Sequence, residues 1–249
     1  MVQASNFPIE VLYLRNGDIP QYLKDKVVDI AIIGENTLIE KQSQELKYLS
    51  LGFSKCRFSI AVPRNFEFTS LKQLEGKRIA TSYPNTVQNF LNKEGIQANI
   101  HEISGSVEIS PNIGLADVIC DIVSTGSTLF KNGLKEVFTM FKFEAVLAAN
   151  PILSSEKQAI LDKLTFRIES VLRAKNTKYI LLNARKEDVK KITALLPGMK
   201  SPTLIPLETK GWVSIHSVIL EDDFWNIIDQ LKCNGAEDIL IIPIEKMLS

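Results

Sequence analysis

The sequence predicts an α/β fold in which two similar lobes are followed by a smaller C-terminal domain. Short apolar runs, such as Ile30–Ile33 and Val118–Val123, alternate with longer amphipathic segments through most of the chain. The segments Val28–Gly34 and Ala116–Ile122 share an Asp before a buried strand, which indicates either two related lobes or common turn chemistry. Beyond residue 178 the order changes to βαββαβ, which is typical of a ferredoxin-like domain.

The two-lobed part is predicted from its alternation of strands and helices. Near-continuous apolar strands between helical segments favour mostly parallel sheets. Apolar residues at helical spacing predict a long amphipathic helix over Glu156–Ala174. The predicted strands are Ile9–Leu14, Ile30–Ile33, Arg57–Val62, Arg78–Thr81, Ala98–Glu102, Val118–Val123 and Ala145–Ala149, and the other predicted helices are Asp18–Lys24 and Asn85–Lys93.

Turn signals separate the elements of the C-terminal domain. Pro197-Gly198 follows the first helical pattern, and Asn234-Gly235 follows the second. The predicted elements are strand Tyr179–Asn183, helix Lys186–Leu196, strands Thr203–Leu207 and Trp212–Ile219, helix Asp222–Cys233 and strand Ile239–Ile244.

Composition excludes several classes of protein. Lys+Arg and Asp+Glu both number 29, so a neutral chain has no overall field that would attract nucleic acid or an anionic membrane. The most apolar stretches have the length of strands, and no transmembrane segment is predicted. The scattered cysteines, Cys56, Cys120 and Cys233, argue against a disulfide framework or a zinc site, and they favour the cytoplasm.

The strongest local signal is the segment Ser124–Thr128, which we call the hydroxyl loop. Four hydroxyl residues surround Gly126 where a buried strand ends and a short helix begins. Hydroxyls and backbone N–H groups in this setting suit a phosphate, and glycine permits close approach of the anion. Asp121 at the end of the strand could accept hydrogen bonds from a sugar or touch magnesium. The alternative is an ordinary N-cap rich in Ser and Thr.

A second loop, Gly76–Asn85, also ends a strand in hydroxyl residues, and Pro84 is placed to begin a helix. An ordinary helix start is the simpler interpretation of this loop. Arg15, Arg57 and Arg78 lie at strand edges; singly they fit surface charges, whereas together they could clamp a polyphosphate.

The two histidines give no catalytic pattern. His101 and His216 lie in strand-like segments, far from any Ser or Cys with a supporting acid. An enzyme with this sequence would therefore act by positioning and electrostatics rather than by covalent catalysis.

One long motif carries a family resemblance. The motif begins with the acidic residue Glu108, and five residues separate it from Gly114. A small residue, Ala116, comes next, and a strand that ends in Asp121 leads to the segment Thr125-Gly126-Ser-Thr-Leu. On this motif the sequence resembles the ATP phosphoribosyltransferases in their long form. Similar blocks cover the rest of the chain: Arg15–Pro20, Val28–Asn36, Gly76–Pro84, Leu196–Thr203 and Ile242–Met247.

The resemblance implies two catalytic lobes similar to type II periplasmic binding proteins, and then a ferredoxin-like regulatory domain. Lobe I would comprise residues 1–60 and 144–176, lobe II residues 61–143, and the regulatory domain residues 177–249. The implied reaction joins ATP and 5-phosphoribosyl 1-diphosphate (PRPP) into phosphoribosyl-ATP and pyrophosphate, the first step of histidine biosynthesis. Mg²⁺ would be held largely by substrate phosphates, with no direct protein ligand. Feedback inhibition by histidine and a homo-oligomer, dimeric or hexameric, are also implied.

The resemblance assigns roles to three sets of residues. The hydroxyl loop (Ser124, Thr125, Gly126, Ser127 and Thr128) would hold the 5-phosphate of PRPP, and Glu108 and Asp121 would bind the ribose hydroxyls. Candidates for the ATP and diphosphate side are Arg15, Gly34, Glu35, Arg57 and Arg78. Candidates for a regulatory histidine site between neighbouring domains are Asn183, Met199, Ser201, Thr203 and Asp238.

The sequence departs from the family at its start. Family members normally begin with a strand and a turn of the type Lys-Ser/Gly-Gly-Arg-Leu at the substrate cleft, and none of the 249 residues carries this motif. We therefore expect an N-terminally incomplete lobe I. The alternative to a catalyst is a truncated regulatory subunit that binds histidine or PRPP without turnover. A solute-binding protein is disfavoured because no signal peptide is present and a C-terminal domain follows.

Overall fold

The computed structural model of the chain describes residues 1–196 and 201–248. The chain divides into two compact units, Met1–Leu161 and Asp162–Ser249. This division falls within the long helix Ser155–Ala174, whereas the predicted C-terminal domain begins at residue 177. The predicted domain bounds remain predictions.

The first unit contains two main sheets and five helices, the last of which continues into the second unit. Its strands are β1 (Val2–Gln3), β2 (Glu10–Val11), β3 (Ile30–Gly34), β4 (Lys47–Ser50), β5 (Cys56–Pro63), β6 (Arg78–Thr81), β7 (Asn99–Glu102), β8 (Val118–Val123), β9 (Leu134–Phe143) and β10 (Ala145–Ala149). Its helices are α1 (Ile19–Lys24), α2 (Glu35–Glu40), α3 (Pro84–Glu94), α4 (Ser127–Lys131) and α5 (Ser155–Ala174).

The chain crosses twice between the two main sheets. One sheet has the order β3-β10-β4, and the other has the order β7-β6-β8-β5-β9. The chain passes to the five-stranded sheet after β4 and returns after β9. The three-stranded sheet therefore contains two strands that precede the five-stranded sheet in sequence, β3 and β4, and one that follows it, β10. Strands β1 and β2 form a separate antiparallel pair.

The prediction of mostly parallel sheets is wrong. Among the described strands only β6 pairs in parallel, with β7 and β8, and all other pairs are antiparallel. The physical reason is that a strand covered on both faces is continuously apolar in either direction, as in β10, where all five residues are buried. Burial therefore does not reveal strand direction.

The predicted strand Ile9–Leu14 shortens to Glu10–Val11, and four elements were missed, namely β1, α2, β4 and β9. Strand β9 was missed because its pairing with β5 contains two register shifts. These shifts break the alternation of buried and exposed residues by which a strand is predicted.

Both faces of the five-stranded sheet are covered. On one face, Phe58 and Ile60 of β5 pack in a buried cluster with Val87, Phe90 and Leu91 of α3. The opposite face is buried by a smaller cluster, which includes Ala61, Ile119, Val123 and Leu129. Strand β8, which pairs with β6 on one side and β5 on the other, is thus also covered on both of its faces.

The second unit confirms the predicted βαββαβ order. Its elements after α5 are β11 (Thr177–Arg185), α6 (Val189–Leu195), β12 (Thr203–Pro206), β13 (Trp212–Leu220), α7 (Glu221–Cys233) and β14 (Glu237–Pro243). The sheet has the antiparallel order β12-β13-β11-β14, and Ile192 of α6 and Leu231 of α7 pack on Ile180, Leu182 and Ile215. The α/β class with a ferredoxin-like C-terminal part is thus confirmed.

In the part of the chain that the structure describes, no helix has both the length and the hydropathy needed to span a bilayer.

Candidate functional site

The hydroxyl loop follows the carboxyl end of β8 and is open to solvent. Its four hydroxyl residues are exposed, and the hydroxyls of Thr125 and Ser127 lie 3.1 Å apart. Gly126 adopts φ +77° at the start of the five-residue α4, a conformation in which a residue with a Cβ would be strained. The loop therefore presents several exposed hydroxyls from a single glycine turn.

Asp121 lies three residues before this loop, and its carboxylate is largely buried. The pKa of Asp121 is raised to about 6, mainly by burial; a hydrogen bond from the Ile122 N–H opposes the shift, and the nearby Glu108 carboxylate adds to it. The N–H to Oδ1 distance of that bond is 2.7 Å. The structure thus brings Glu108, on the 3₁₀ turn Val107–Ile109, close to Asp121, as the sequence analysis expected of the ribose-binding pair.

Arg57, at the start of β5, ties the hydroxyl loop to β9. Its Nε and Nη2 donate to the two carboxylate oxygens of Glu136 at 2.6 and 2.7 Å, and its Nη1 donates to the Ser124 carbonyl at 3.0 Å. This bidentate pair raises the pKa of Arg57 and lowers the pKa of Glu136. The charge of Arg57 is therefore already compensated within the protein.

A cavity of about 430 Å³ lies beside Ser124. This volume is within the usual range for a small-molecule site. Three predicted site residues, Glu35, Arg57 and Ser124, line it together. The other lining residues are Lys55, Cys56, Lys142, Phe143 and Glu144.

Arg78 is not brought to this site. Its guanidinium holds Asp117 through Nε and Nη2, at 3.3 and 2.8 Å, and donates from Nη1 to the Gly114 carbonyl at 2.8 Å. These bonds, with one from the Arg78 N–H, lower the pKa of Asp117 to about 2. Arg78 begins β6 and Asp117 directly precedes the parallel strand β8, so both lie at the amino ends of these two strands, about 20 Å along β8 from the hydroxyl loop.

Two of the remaining candidates for the ATP side, Gly34 and Glu35, lie at the start of α2, and the third is Arg15. Glu35 pairs with Lys47 at 2.6 Å, and Gly34 precedes it as the N-cap of α2. A Cβ on Gly34 would collide with Asn36 Oδ1, whose amide group donates to the Tyr83 hydroxyl at 3.3 Å. Arg15 is exposed and is not among the residues that line the cavity.

The second predicted loop leads into a helix whose N-terminus is already occupied. The buried Glu40 carboxylate accepts hydrogen bonds from the N–H groups of Asn85 and Thr86 at 3.0 and 2.9 Å, and from the Thr86 hydroxyl at 2.7 Å. A carboxylate of α2 thus takes the place that an external phosphate would need on α3. The simpler interpretation of this loop, an ordinary helix start, agrees with the structure.

The candidate histidine-site residues of the second unit are only partly together. Asn183 on β11 donates from Nδ2 to Asp238 Oδ2 at 3.1 Å, and Asp238 adopts a left-handed φ of +49°. Thr203 lies opposite His216 on the far edge strand β12, about 14 Å from β14 at three strand spacings. Ser201 is exposed just before β12, and Met199 lies outside the described residues.

The described residues contain no group of three or more His, Cys, Asp or Glu side chains that could hold a metal ion. The chemistry of the site thus offers two neighbouring carboxylates, Glu108 and Asp121, rather than a protein cage for magnesium. That magnesium is carried by the substrate phosphates remains a prediction.

Comparisons with known proteins decide the family. The model of the ATP phosphoribosyltransferase family (HisG) matches residues 15–170, and that of the HisG C-terminal domain matches residues 174–246. The chain belongs to the ATP phosphoribosyltransferase family. Relatives named ATP phosphoribosyltransferase include one from Cytophaga hutchinsonii, 58% identical over 98% of this chain and 86% of that protein. Another, from Bacteroides thetaiotaomicron, is 53% identical over 100% of this chain and 88% of that protein.

A solved structure supports the same fold. The ATP phosphoribosyl transferase (HisG:HisZ) complex from Thermotoga maritima aligns with a TM-score of 0.59 and 27% identity, over 70% of this chain and 86% of that chain. Membership in the long form of the family agrees with the match of the C-terminal domain model.

Sequence reasoning missed four residues that shape the site: Glu136, Lys55, Lys142 and Glu40. Glu136 and Lys142 lie on β9, which was not predicted, and their roles depend on the pairing of β9 with β5. Lys55 lies in the crossing between sheets, and Glu40 acts on a helix 45 residues away along the chain. No local sequence signal marks such long-range contacts.

Proposed function

We propose that this member of the ATP phosphoribosyltransferase family transfers the phosphoribosyl group of PRPP to N1 of ATP, and releases pyrophosphate. The observation that carries the proposal is the arrangement of Glu108, Asp121 and the hydroxyl loop at the carboxyl end of β8. Ligands of open α/β sheets bind at this end of the strands.

In the proposed reaction, a new bond forms between adenine N1 and the anomeric carbon of the ribose. The bond from that carbon to the diphosphate oxygen breaks, and its electron pair leaves with pyrophosphate. The anomeric centre gains positive charge in the transition state, so the Asp121 and Glu108 carboxylates would stabilise it while they accept hydrogen bonds from the ribose hydroxyls. Mg²⁺, bound by the substrate phosphates, would neutralise charge on the leaving diphosphate.

The hydroxyl loop would bind the 5-phosphate of PRPP through Ser124, Thr125, Ser127 and Thr128. Its exposed hydroxyls and the glycine turn support this assignment. Arg57 would act indirectly, since it holds the Ser124 carbonyl rather than presenting a free charge. Lobe I (residues 1–60 and 144–176) and lobe II (residues 61–143) would enclose the substrates, in agreement with the two crossings between sheets.

The chain is tested by incubation with ATP, PRPP and Mg²⁺, with phosphoribosyl-ATP detected by mass spectrometry. We expect product from the wild type. Asp121→Ala and Thr128→Ala should lose PRPP binding in calorimetry while they keep the wild-type circular dichroism. Asp18→Ala, which changes an exposed aspartate of the same unit, is the matched control. Unchanged PRPP affinity in both site variants would refute the site assignment. Histidine binding without any product would favour the regulatory-subunit alternative.

We further propose that domain 177–249 binds histidine as a feedback inhibitor and that the chain forms a homo-oligomer in the cytoplasm. The contact between Asn183 and Asp238 supports a polar pocket, and Thr203 lies too far across the sheet for one small ligand to reach both edges within a single chain. A site between neighbouring copies of the chain would let Asn183 and Asp238 of one copy and Thr203 of the other contact the same histidine. Three unpaired cysteines agree with a reducing compartment.

The histidine proposal predicts that Asn183→Ala weakens L-histidine binding in calorimetry, whereas Asn226→Ala, an exposed change on α7, does not. Sedimentation velocity should show an oligomer for the wild type. A monomer that binds histidine with unchanged affinity in the Asn183→Ala variant would contradict the proposal.

A further inference from the structure

A pair of like charges faces the cavity beside the hydroxyl loop. Arg57 and Lys142 are direct partners in the antiparallel register of β5 and β9, so their side chains lie on the same face of the sheet. Like charges directly opposite each other destabilise a sheet unless something compensates them. Their juxtaposition therefore needs an explanation.

Among the described residues, an acidic partner compensates the charge of Arg57 but not that of Lys142. Glu136 binds the Arg57 guanidinium through both carboxylate oxygens. Lys142, and Lys55 on the same cavity, have no ion pair with any residue in the described ranges 1–196 and 201–248. Lys55 and Lys142 thus both line the cavity without an acidic partner among the described residues.

The acidic groups of the cavity do not cancel this charge. Glu35 is already paired with Lys47 at 2.6 Å. Glu144 is the other acidic side chain on the cavity, where it stands against two free lysines. Once the internal pairs are removed, the cavity is left with a net positive charge in a neutral protein.

We propose that Lys55 and Lys142 form a binding wall for the polyphosphate group of a substrate, either the triphosphate of ATP or the diphosphate of PRPP. This inference rests on the proposed function and deepens it, because it separates two roles. The lysines contact the polyphosphate, and Arg57 is a positioning residue that holds the hydroxyl loop through Ser124. An ammonium on a flexible stem suits a phosphate chain that binds in one site and leaves as product.

The test measures binding of inorganic tripolyphosphate, ATP and PRPP by calorimetry to the full chain and to Lys55→Met and Lys142→Met. Each variant should bind tripolyphosphate about five- to tenfold more weakly, as expected for the loss of one charge-assisted contact. Weaker binding of ATP alone identifies the triphosphate as the ligand, and weaker binding of PRPP alone identifies the diphosphate.

Two controls separate this role from general effects of charge or fold. Lys135→Met changes an exposed lysine on the same strand β9 and should bind all three ligands as the wild type does. Lys142→Met should unfold at a temperature no lower than that of the wild type, because it relieves the repulsion with Arg57. Lys142→Arg should retain most of the binding.

Binding of all three ligands by both variants within threefold of the wild type would overturn the proposal, as would an equal loss in Lys135→Met. Product formation is measured separately. A wild type that binds tripolyphosphate through the lysines but forms no phosphoribosyl-ATP would refute the proposed function and leave this inference standing.

Discussion

Among single residues, Asp121 shows how a binding group costs stability. Its pKa is raised in the fold to about 6, mainly because the carboxylate is buried. A carboxyl whose pKa is raised on folding favours the folded state at low pH, and this contribution is lost as the pH rises through 6. At neutral pH the protein therefore keeps an unfavourable buried charge, which the proposed ribose hydroxyls would solvate.

Asp121→Asn is accordingly expected to stabilise the protein at pH 7.5 by roughly 2–3 kcal/mol, since it removes that buried charge. The gain should shrink as the pH falls from 6 to 4, where the wild-type carboxyl is neutral. Urea-induced unfolding at several pH values measures it. Asp18→Asn, at an exposed position, should show no gain. A stability difference that is the same at pH 7.5 and pH 4 would contradict the argument.

Arg78 illustrates the opposite case, a charged residue with a structural role. Its pairing with Asp117 is partly exposed, with 43% and 33% of the two side chains accessible. Arg78→Met is expected to lower the free energy of unfolding only slightly, since solvent screens such an exposed pair. The KM values for ATP and PRPP should stay unchanged. A large rise in either KM with normal stability would place Arg78 at the substrates instead.

At the scale of elements, α2 and α3 are joined by one buried carboxylate. Glu40, at the end of α2, satisfies two N–H groups in the first turn of α3 and the Thr86 hydroxyl. Asn85 returns a hydrogen bond from Nδ2 to the Glu40 carbonyl at 3.1 Å. Because α2 follows β3 and α3 follows β6, this contact links the two main sheets of the first unit.

Glu40→Ala should therefore destabilise the first unit by about 2–4 kcal/mol, because it leaves three donors without an acceptor, and two of them, the N–H and the hydroxyl of Thr86, are buried. Glu40→Gln keeps one acceptor oxygen and should cost less. Glu45→Ala, an exposed change nearby, serves as the control. Chemical denaturation gives the values, and equal stability of Glu40→Ala and Glu45→Ala would show that the contact contributes nothing.

For the whole molecule, the separate cores predict separate stabilities. The cluster around Leu182 belongs to the second unit, and the cluster around Phe58 belongs to the first. Leu182 is fully buried, so Leu182→Ala should lower the free energy of unfolding of the second unit by about 3 kcal/mol. Multi-domain chains need not unfold in one step.

Hydrogen exchange followed by mass spectrometry checks this prediction. In Leu182→Ala, exchange should rise in β11 and β13 and stay unchanged in β5 and β8. PRPP should protect β8 and the hydroxyl loop without affecting β11. Equal loss of protection in both units would mean that the chain unfolds as one cooperative body.

Local patterns were sufficient for much of the architecture. The βαββαβ order was predicted because each of its elements has a regular apolar period and a turn signal at its end. The hydroxyl loop was predicted for a similar reason, since strand, Asp121, Gly126 and hydroxyl residues are adjacent in sequence. Strand β9 was missed because two register shifts against β5 disturb its period.

The sequence by itself determined the α/β class, the ferredoxin-like second unit and, through one motif, the family to which the chain belongs. Only the tertiary structure decided which cations are free. It paired Arg57 with Glu136 and Arg78 with Asp117, filled the start of α3 with Glu40, and left Lys55 and Lys142 on the cavity. The physical reason is that propensity and period act over neighbouring residues, whereas charge compensation depends on strand register across 79 residues of chain.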